Sequence, residues 1–156
     1  MKRLLTLTLM MAGLAGFTSH AQLSAGSFEL GGSLQLSSPE EGDETLFIIA
    51  DTGYFVSDAL QLKLRGFLGT TGGTDFGSIG PGLTYHLASG DESVVPFIGA
   101  SYQFDMSDAG SDDSYELNGG AKAFVSERTS VNVTGSYIDQ DAGSTVALTL
   151  GISYYF

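Results

Sequence analysis

The chain lacks cysteine altogether, contains three prolines in 156 residues, and carries six basic residues against eighteen acidic ones. The absence of cysteine excludes disulfide bonds and thiolate chemistry, so strand pairing and packing must hold the fold together. The formal net charge of −12 disfavours binding to nucleic acid or to anionic surfaces on Coulombic grounds. Convincing helical periodicity is also missing, which leaves a β-rich chain as the expectation.

The N-terminal segment has the features of a secretory signal peptide. Two basic residues precede an uncharged apolar run over residues 4–17, which is too short to span a bilayer. Small residues follow, ending at Ala21, in the A-x-A arrangement of a cleavage site. We therefore predict a cleaved signal peptide over residues 1–21 and a single mature domain over residues 22–156.

The C-terminal segment, residues 144–156, shows the period of two that is typical of a β-strand with one apolar face. Small or polar residues such as Thr149 and Ser153 fill the intervening positions. The apolar face needs a partner, which is a second sheet in a soluble protein or lipid in a membrane barrel. The large apolar residues at alternate positions are Val146, Leu148, Leu150, Ile152, Tyr154 and Phe156.

The same alternation recurs along the mature chain, in segments of about ten residues that are separated by Gly, Ser, Asp or Pro. Eight such segments predict eight strands. The second is the least regular, because Phe47 and Ile49 place apolar side chains on the face predicted to point inward. The predicted strands are Ser27–Gln35, Thr45–Phe55, Leu60–Gly69, Phe76–Leu87, Val94–Phe104, Tyr115–Val125, Val131–Ile138 and Ser144–Phe156.

Pro81 and Pro96 fall within the fourth and fifth predicted strands. A proline inside a strand removes one hydrogen bond from the ladder, so prolines in sheets are found at bulges, at edges or at strand starts. We therefore expect both prolines to mark bulges or to lie near strand ends.

An even number of strands puts both termini at the same end, and closure of the meander removes the exposed strand edges that promote aggregation. The sequence thus predicts an all-β fold, an eight-stranded antiparallel up-and-down transmembrane β-barrel. A soluble barrel of the lipocalin type is the main alternative, and it would turn the apolar faces inward. The direction in which the apolar faces point separates the two.

Outward-facing aromatic residues sort into two levels if the strands alternate in direction. Amphipathic rings prefer the two membrane interfaces, so this distribution predicts a double aromatic girdle. The core of a sandwich gives no reason for such sorting. The group expected near the termini comprises Phe28, Tyr54, Tyr85, Tyr154 and Phe156, and the group expected at the opposite end comprises Tyr102, Phe104, Tyr115 and Tyr137.

Six charged residues fall on the inward faces of the predicted strands, three of each sign. An eight-stranded barrel is just wide enough for side chains to fill its lumen, so buried charges there need counter-ions. We predict a structural, charge-balanced ion-pair network in preference to an ion or proton relay. Its members are Glu29, Asp51, Lys63, Arg65, Glu116 and Lys122.

Most of the remaining carboxylates fall in the loops expected at the end away from the termini. They predict an acidic rim that takes up divalent cations weakly or repels anionic lipopolysaccharide. One segment, Asp105–Glu116, imitates the ligand spacing of an EF-hand, but Ala109 occupies a ligand position and no helices flank it. We therefore expect no specific metal site and no cofactor.

His86 is the only histidine that remains after the predicted cleavage. A catalytic histidine needs a nucleophile and an orienting acid, and neither is visible around it in the sequence. We interpret His86 as a hydrogen-bonding residue of the lumen and predict no catalytic residues.

The end of the chain, in which Ile152, Tyr154 and Phe156 alternate with smaller or more polar residues, resembles the C-terminal strand of bacterial outer-membrane β-barrels. Segments 53–60 and 80–85 look like strand-and-turn phrases of the small OmpA/OmpX-like eight-stranded barrels, and the resemblance covers about the whole mature chain. It implies that the three alternating residues form the assembly signal that the β-barrel assembly machinery reads. It also implies Sec-type export to the outer membrane of a Gram-negative-type bacterium, among outer-membrane lipids and lipopolysaccharide.

Three functions are compatible with these expectations. The leading hypothesis is a non-enzymatic integral outer-membrane protein that has a structural or surface role in the cell envelope and a filled lumen. A narrow passive pore or small-ligand carrier is the alternative, because many lumenal positions hold Gly, Ser or Thr. An envelope lipid-modifying enzyme is the third, since such enzymes exist on the fold that the chain resembles.

Overall fold

The computed structural model describes residues 23–37, 45–71, 74–88, 93–106, 113–140 and 143–156. The predicted signal peptide and its cleavage site lie outside these residues, as do most of the acidic loop positions. Strands make up most of the described chain. They are β1 (Phe28–Ser37), β2 (Thr45–Phe55), β3 (Leu60–Thr71), β4 (Thr74–His86), β5 (Val94–Asp105), β6 (Ser114–Ser126), β7 (Thr129–Gln140) and β8 (Gly143–Tyr155).

The strands form a closed antiparallel barrel in sequence order, in which β1 also pairs with β8. The predicted eight-stranded up-and-down barrel is confirmed. The β2 strand has the predicted bounds, and the other strands differ from the predicted ones by one or two residues at their ends. In the part of the chain that the structure describes, no helix has the length and apolar character needed to cross a bilayer.

The alternation of side chains divides apolar from polar residues across the barrel wall. On β8, Leu148 and Ile152 are 52% and 56% exposed on the outer surface, whereas Thr149 and Ser153 retain 5% and 2% in the lumen. An apolar outer wall is the orientation of a membrane barrel and the reverse of the lipocalin-type alternative. The irregular residue Ile49 is buried on the lumenal side of β2, where the alternation places it.

The two prolines occupy different positions in their strands. Pro96 is the third residue of β5, near a strand end as expected. Pro81 lies in the interior of β4, where residues 78–79 and 82–86 pair with β5 in one unchanged register. The expectation of a bulge or a strand end is therefore wrong for Pro81. The ladder with β5 opens at Gly80 and at Pro81, which has no N–H group, and it resumes without a shift.

The two ends of the barrel chain meet at one end of the molecule, which we call the terminal end. Phe28 and Phe156 exchange backbone hydrogen bonds with N···O distances of 3.3 and 2.9 Å, which join the chain ends there. The turn between β2 and β3 lies at the same end, where the Val56 N–H donates to the Leu60 carbonyl at 2.9 Å. We call the opposite end the distal end.

Candidate functional site in the barrel lumen

An ion pair between Glu29 of β1 and Lys122 of β6 lies in the lumen toward the terminal end. Lys122 Nζ is 2.5 Å from Glu29 Oε2, and the two side chains are 3% and 2% exposed. Gln61 Nε2 donates to the same carboxylate oxygen at 2.6 Å, and Lys122 Nζ donates to the Tyr155 hydroxyl at 3.1 Å. We call these four residues the Glu29 group. A buried charge is costly unless it is paired and hydrogen-bonded, and both conditions are met here.

Neutral polar side chains extend the Glu29 group across β7 and β8. The Tyr155 hydroxyl lies 3.1 Å from Ser130 Oγ, which donates to Asn132 Oδ1 at 2.8 Å. Asn132 Nδ2 donates in turn to Ser153 Oγ at 2.6 Å. This chain of hydrogen bonds gives buried hydroxyl and amide groups the partners that an interior of low polarity requires.

A second set of charges extends from the middle of the lumen toward the distal end. Arg65 Nη1 and Ser136 Oγ both donate to Glu116 Oε1, each at 2.5 Å. Asp51 Oδ1 lies 3.5 Å from both Lys63 Nζ and Arg65 Nε, which is longer than a good hydrogen bond. We call Asp51, Lys63, Arg65 and Glu116 the Glu116 group.

The structure places all six residues of the predicted lumenal network in ion pairs, distributed over these two groups. Sequence reasoning missed their neutral partners, above all Gln61, Tyr155 and Ser136. All three lie buried at inward positions of the alternating pattern, which was the available signal. The alternating pattern identifies the face of the strand on which a residue lies, but not its height along the barrel axis. Strand tilt and shear decide that height and thus which lumenal side chains meet.

Gly53 illustrates why the lumenal face of β2 needs a glycine. It pairs with Glu29 of β1, and a Cβ placed on Gly53 would lie 2.3 Å from Gln61 Nε2. Because Cβ atoms essentially never make contacts that short, a side chain there would push Gln61 away from Glu29. The glycine therefore makes room for a donor to the buried carboxylate.

An apolar cluster fills the terminal end of the lumen. It consists of Phe55, Val95, Phe124 and Tyr155, which we call the terminal plug, and Leu23 packs against it. Phe55 and Phe124 are fully buried, and the Tyr155 ring centroid lies 5.2 Å from that of Phe124. Tyr155 thus belongs to both sets, since its ring packs in the plug and its hydroxyl bonds to Lys122.

His86 lies beside the terminal plug and packs against aromatic rings. Its ring centroid is 5.1 Å from that of Phe55 and 6.2 Å from that of Phe97, and the residue is 4% exposed. Neither ring nitrogen has a hydrogen-bond partner among the described atoms. The lumenal location agrees with the prediction, and the ring packs against two aromatic rings. The expected hydrogen-bonding role stays a prediction. His86 forms no nucleophile–base pair with any described residue.

A small polar cavity lies between the two ion-pair groups. Its volume is about 30 Å³, which is room for about two water molecules. Both groups line it, and β1 and β8 contribute the small residues Ser33, Gly151 and Ser153 to its wall. The charged residues of the lining are Glu29, Asp51, Lys63, Arg65 and Lys122.

The aromatic residues predicted for the girdles lie on the outer wall, toward the two ends of the strands. At the terminal end the rings of Tyr154 and Phe156 meet edge to face with centroids 4.9 Å apart, and at the distal end those of Tyr102 and Tyr115 are 4.8 Å apart. The terminal-end set lies mainly on β8, β1 and β2, and the distal set on β5, β6 and β7. The exposed members are Phe28, Tyr54, Tyr85, Phe104, Tyr115, Tyr137, Tyr154 and Phe156.

The residues predicted as the assembly signal, Ile152, Tyr154 and Phe156, are exposed on the outer wall at the end of the chain. Ile152 pairs with Gly32 of β1 and with Val131 of β7, so it lies where the last strand closes the barrel. Their side chains are accessible from outside while their backbone is engaged in hydrogen bonds.

Asp113 organises the described part of the acidic distal loops. It accepts hydrogen bonds from the Tyr102 hydroxyl at 2.5 Å and from the Asp105 N–H at 3.3 Å. The EF-hand-like segment ends at Glu116, whose carboxylate is bound to Arg65 in the lumen and so points away from the loop. Within the described ranges, no group of three or more His, Cys, Asp or Glu residues is placed to hold a metal ion.

A closed meander of eight strands, with an apolar outer wall and paired charges in a narrow lumen, is the architecture of small transmembrane β-barrels. No family model matches the sequence, and no curated protein matches it. Solved structures do match the fold.

The chain is similar to the N-terminal β-barrel domain of Pseudomonas aeruginosa OprF, with a TM-score of 0.66 and 14% identity over 85% of this chain and 98% of that chain. Neisserial surface protein A gives a TM-score of 0.60 and 15% identity, over 83% of this chain and 96% of that chain. OprG, an outer membrane protein from Pseudomonas aeruginosa, gives 0.55 and 16%, over 90% and 99%. The resemblance to small outer-membrane barrels is thus confirmed for the fold. Identities this low do not extend it to activity or partners.

Proposed function

We propose that the chain is an integral protein of the bacterial outer membrane, with a non-enzymatic, structural or surface role in the cell envelope and a lumen that does not conduct. The observation that carries this proposal is the filling of the lumen. All six charged residues predicted for the lumen are held in ion pairs, and the terminal plug fills one end. Side chains that fill an eight-stranded barrel stabilise it and leave little room for solute.

The outer wall supports insertion into a membrane. Large apolar side chains such as Leu34 and Leu117 are 65% and 63% exposed, and a soluble protein rarely exposes a continuous surface of this kind. In a bilayer, acyl chains solvate this surface, and the two sets of aromatic residues lie at its interfaces. Outer-membrane lipids and lipopolysaccharide are therefore the proposed partners, with the β-barrel assembly machinery acting during insertion after Sec-type export.

Membrane residence is tested by expressing the full chain in a Gram-negative host and fractionating the cells. We expect the protein in the outer-membrane fraction, released by detergent, with faster gel migration before boiling than after it. Recovery of the folded protein in the soluble fraction without detergent would remove the proposal. Mass spectrometry of the N-terminus of the same material checks the predicted cleavage after Ala21.

The non-enzymatic part of the proposal is supported by the surroundings of His86, which are aromatic and contain no bonded nucleophile or acid among the described residues. We expect the lipid A profile of cells, measured by mass spectrometry, to be the same with and without the protein. A change in lipid A that His86→Ala abolishes would establish the enzymatic alternative instead.

A narrow pore is the second candidate, and the polar cavity is the observation that favours it. Planar-bilayer recording decides between the two. We expect no discrete current steps from the wild-type protein, and brief openings from the double variant Phe55→Ala/Phe124→Ala, because it empties the terminal plug. The matched control Phe28→Ala/Phe104→Ala removes two exposed rings from the outer wall and is expected to stay silent. Regular steps from the wild type would establish the pore.

A further inference from the structure

We propose that residues 23–27, which precede β1, form a latch that covers the terminal plug and opens while the barrel stays folded. We call these five residues the N-terminal latch. The inference deepens the proposed closed lumen and rests on that proposal, because it names the segment that closes the terminal end.

A tight turn leads the chain from the barrel wall toward the lumen. The Ser27 N–H donates to the Ser24 carbonyl at 3.0 Å, and the Ser27 hydroxyl donates to the same carbonyl. Gly26 lies inside this turn with a φ of +91°, a left-handed conformation that glycine adopts without strain. A Cβ on Gly26 would meet nothing within 4 Å, so the backbone angle alone calls for glycine at this position.

Two backbone donors of the turn fasten the latch to the end of β2 and to the turn that follows it. The Ala25 N–H donates to Asp58 Oδ1 at 2.9 Å, and the Gly26 N–H donates to the Phe55 carbonyl at 2.8 Å. Leu23, on the other side of the turn, is partly buried and packs against the terminal plug. The latch therefore holds an apolar side chain over the cluster that fills this end of the lumen.

The latch has the features of a segment that opens locally. It belongs to no strand, and Ser24, Ala25 and Gly26 are exposed. Segments with few buried contacts and with exposed hydrogen bonds open at a lower free energy than the core of a protein. Opening breaks the bonds to Asp58 and to the Phe55 carbonyl and uncovers the terminal plug, whereas the β1–β2 ladder, which begins at residue 28, stays intact.

A single thiol in the terminal plug measures the opening, because the chain contains no cysteine of its own. Val95→Cys places this thiol at a position that is 8% exposed in the plug, where a thiol acts as a small apolar group. The full-length gene is expressed, and the protein isolated from the outer membrane is treated in detergent with a small, positively charged methanethiosulfonate. Mass spectrometry follows the reaction. Because its rate tracks the open population, we expect it to be about a hundredfold slower than in the urea-unfolded protein.

Variants of the latch in the same Val95→Cys background should speed the reaction. We expect a rise of about five- to thirtyfold from Gly26→Ala, which strains the turn, and of about two- to tenfold from Asp58→Ala, which removes the acceptor of the Ala25 N–H. Gly143→Ala is the matched control, because Gly143 also has a positive φ with nothing within 4 Å of its Cβ position but lies in the distal turn. Unchanged rates in both latch variants would overturn the proposal, and so would a rate in Gly143→Ala as fast as in Gly26→Ala.

Two further measurements keep the result specific to the latch. Gel mobility before boiling shows that each variant retains a folded barrel, and Leu23→Ala opens the same site without altering the turn, with an expected rise of about tenfold. Planar-bilayer recordings on the same preparations should stay silent, because Phe55 and Phe124 remain in the plug when the latch opens. Unchanged thiol rates with a silent barrel refute only the latch, whereas current steps from the wild type refute the closed lumen.

Discussion

The Glu29 group and the Glu116 group hold the same kind of chemistry at different depths in the lumen. Glu29 and Lys122 are 2–3% exposed and in contact at 2.5 Å, whereas the side chains of Asp51, Lys63 and Arg65 are 11–19% exposed. The first group is backed by the terminal plug, and both groups line the cavity. Because the cost of an unpaired charge rises with burial, we expect the loss of one charge to cost more in the Glu29–Lys122 pair than at Asp51.

The largest expected effect is the loss of one partner from the buried pair. Lys122→Met leaves Glu29 charged at 2% exposure, so we expect the free energy of unfolding to fall by about 3–5 kcal/mol. Urea unfolding in lipid vesicles, followed by gel mobility and tyrosine fluorescence, measures the loss. The double variant Glu29→Met/Lys122→Met is the control and should recover most of it, because no isolated charge remains. A single variant as stable as wild type would contradict the role assigned to the pair.

The next largest loss in the free energy of unfolding is expected from aromatic rings in the lumen, and it should differ between the terminal end and the distal end. Phe124→Ala empties a fully buried position in the terminal plug and is expected to cost about 3–4 kcal/mol. Phe67 lies on the lumenal face of β3 toward the distal end, where it pairs with Ile49. Phe67→Ala removes a half-buried ring that packs against Phe47 with centroids 5.0 Å apart, and we expect about half that cost. The same unfolding assay compares them. If both variants lost the same free energy of unfolding, the terminal end of the lumen would not be better packed than the distal end.

A smaller loss of stability is expected at Gly53, which leaves the space that the Gln61 side chain occupies. Gly53→Ala should displace Gln61 from Glu29 and cost about 1–2 kcal/mol, the usual penalty for a buried hydrogen bond that is lost. In a Gln61→Ala background the same substitution should cost much less, since the colliding amide is gone. A double-mutant cycle measures this coupling, and additive losses would contradict it.

The smallest loss of stability is expected at Asp51, whose contacts with its cations are the longest of the lumenal ion pairs. Asp51→Asn keeps the shape of the side chain and disturbs contacts of 3.5 Å in a polar cavity, so we expect a loss of about 1 kcal/mol. Glu116→Gln is the comparison within the same group, and its cost should be larger because Glu116 bonds Arg65 at 2.5 Å. A larger loss from Asp51→Asn than from Glu116→Gln would contradict the ranking by contact distance.

Much of the fold could be predicted because alternation is a local property of the chain. Residues such as Leu148 and Thr149 alternate in the sequence, and the structure turns them to opposite sides of the wall. The eight strands and their directions follow from the same pattern and from the turn residues between segments. Pro81 was misjudged because a ladder can open over two residues and resume in the same register, which the sequence does not reveal.

The partners within the lumen could not be predicted, because they depend on how the barrel closes. Gln61 reaches Glu29, and Lys122 reaches Tyr155, only at one combination of strand tilt and shear. The terminal plug was missed for a related reason. Phe55 and Phe124 are inward-facing aromatic residues near strand ends, and they form one cluster only after β2 and β6 face each other across the lumen.

The backbone bonds between Phe28 and Phe156 have a consequence for how the protein is made. Strand β1 leaves the ribosome early, yet the neighbour that covers its free edge is the very last strand of the chain. A fragment that stops before β8 lacks that partner, so the edge of β1 stays exposed until β8 has been made, and an unpaired edge invites aggregation. The wall of this barrel therefore closes only when β8 joins β1, so its first strand waits for its last.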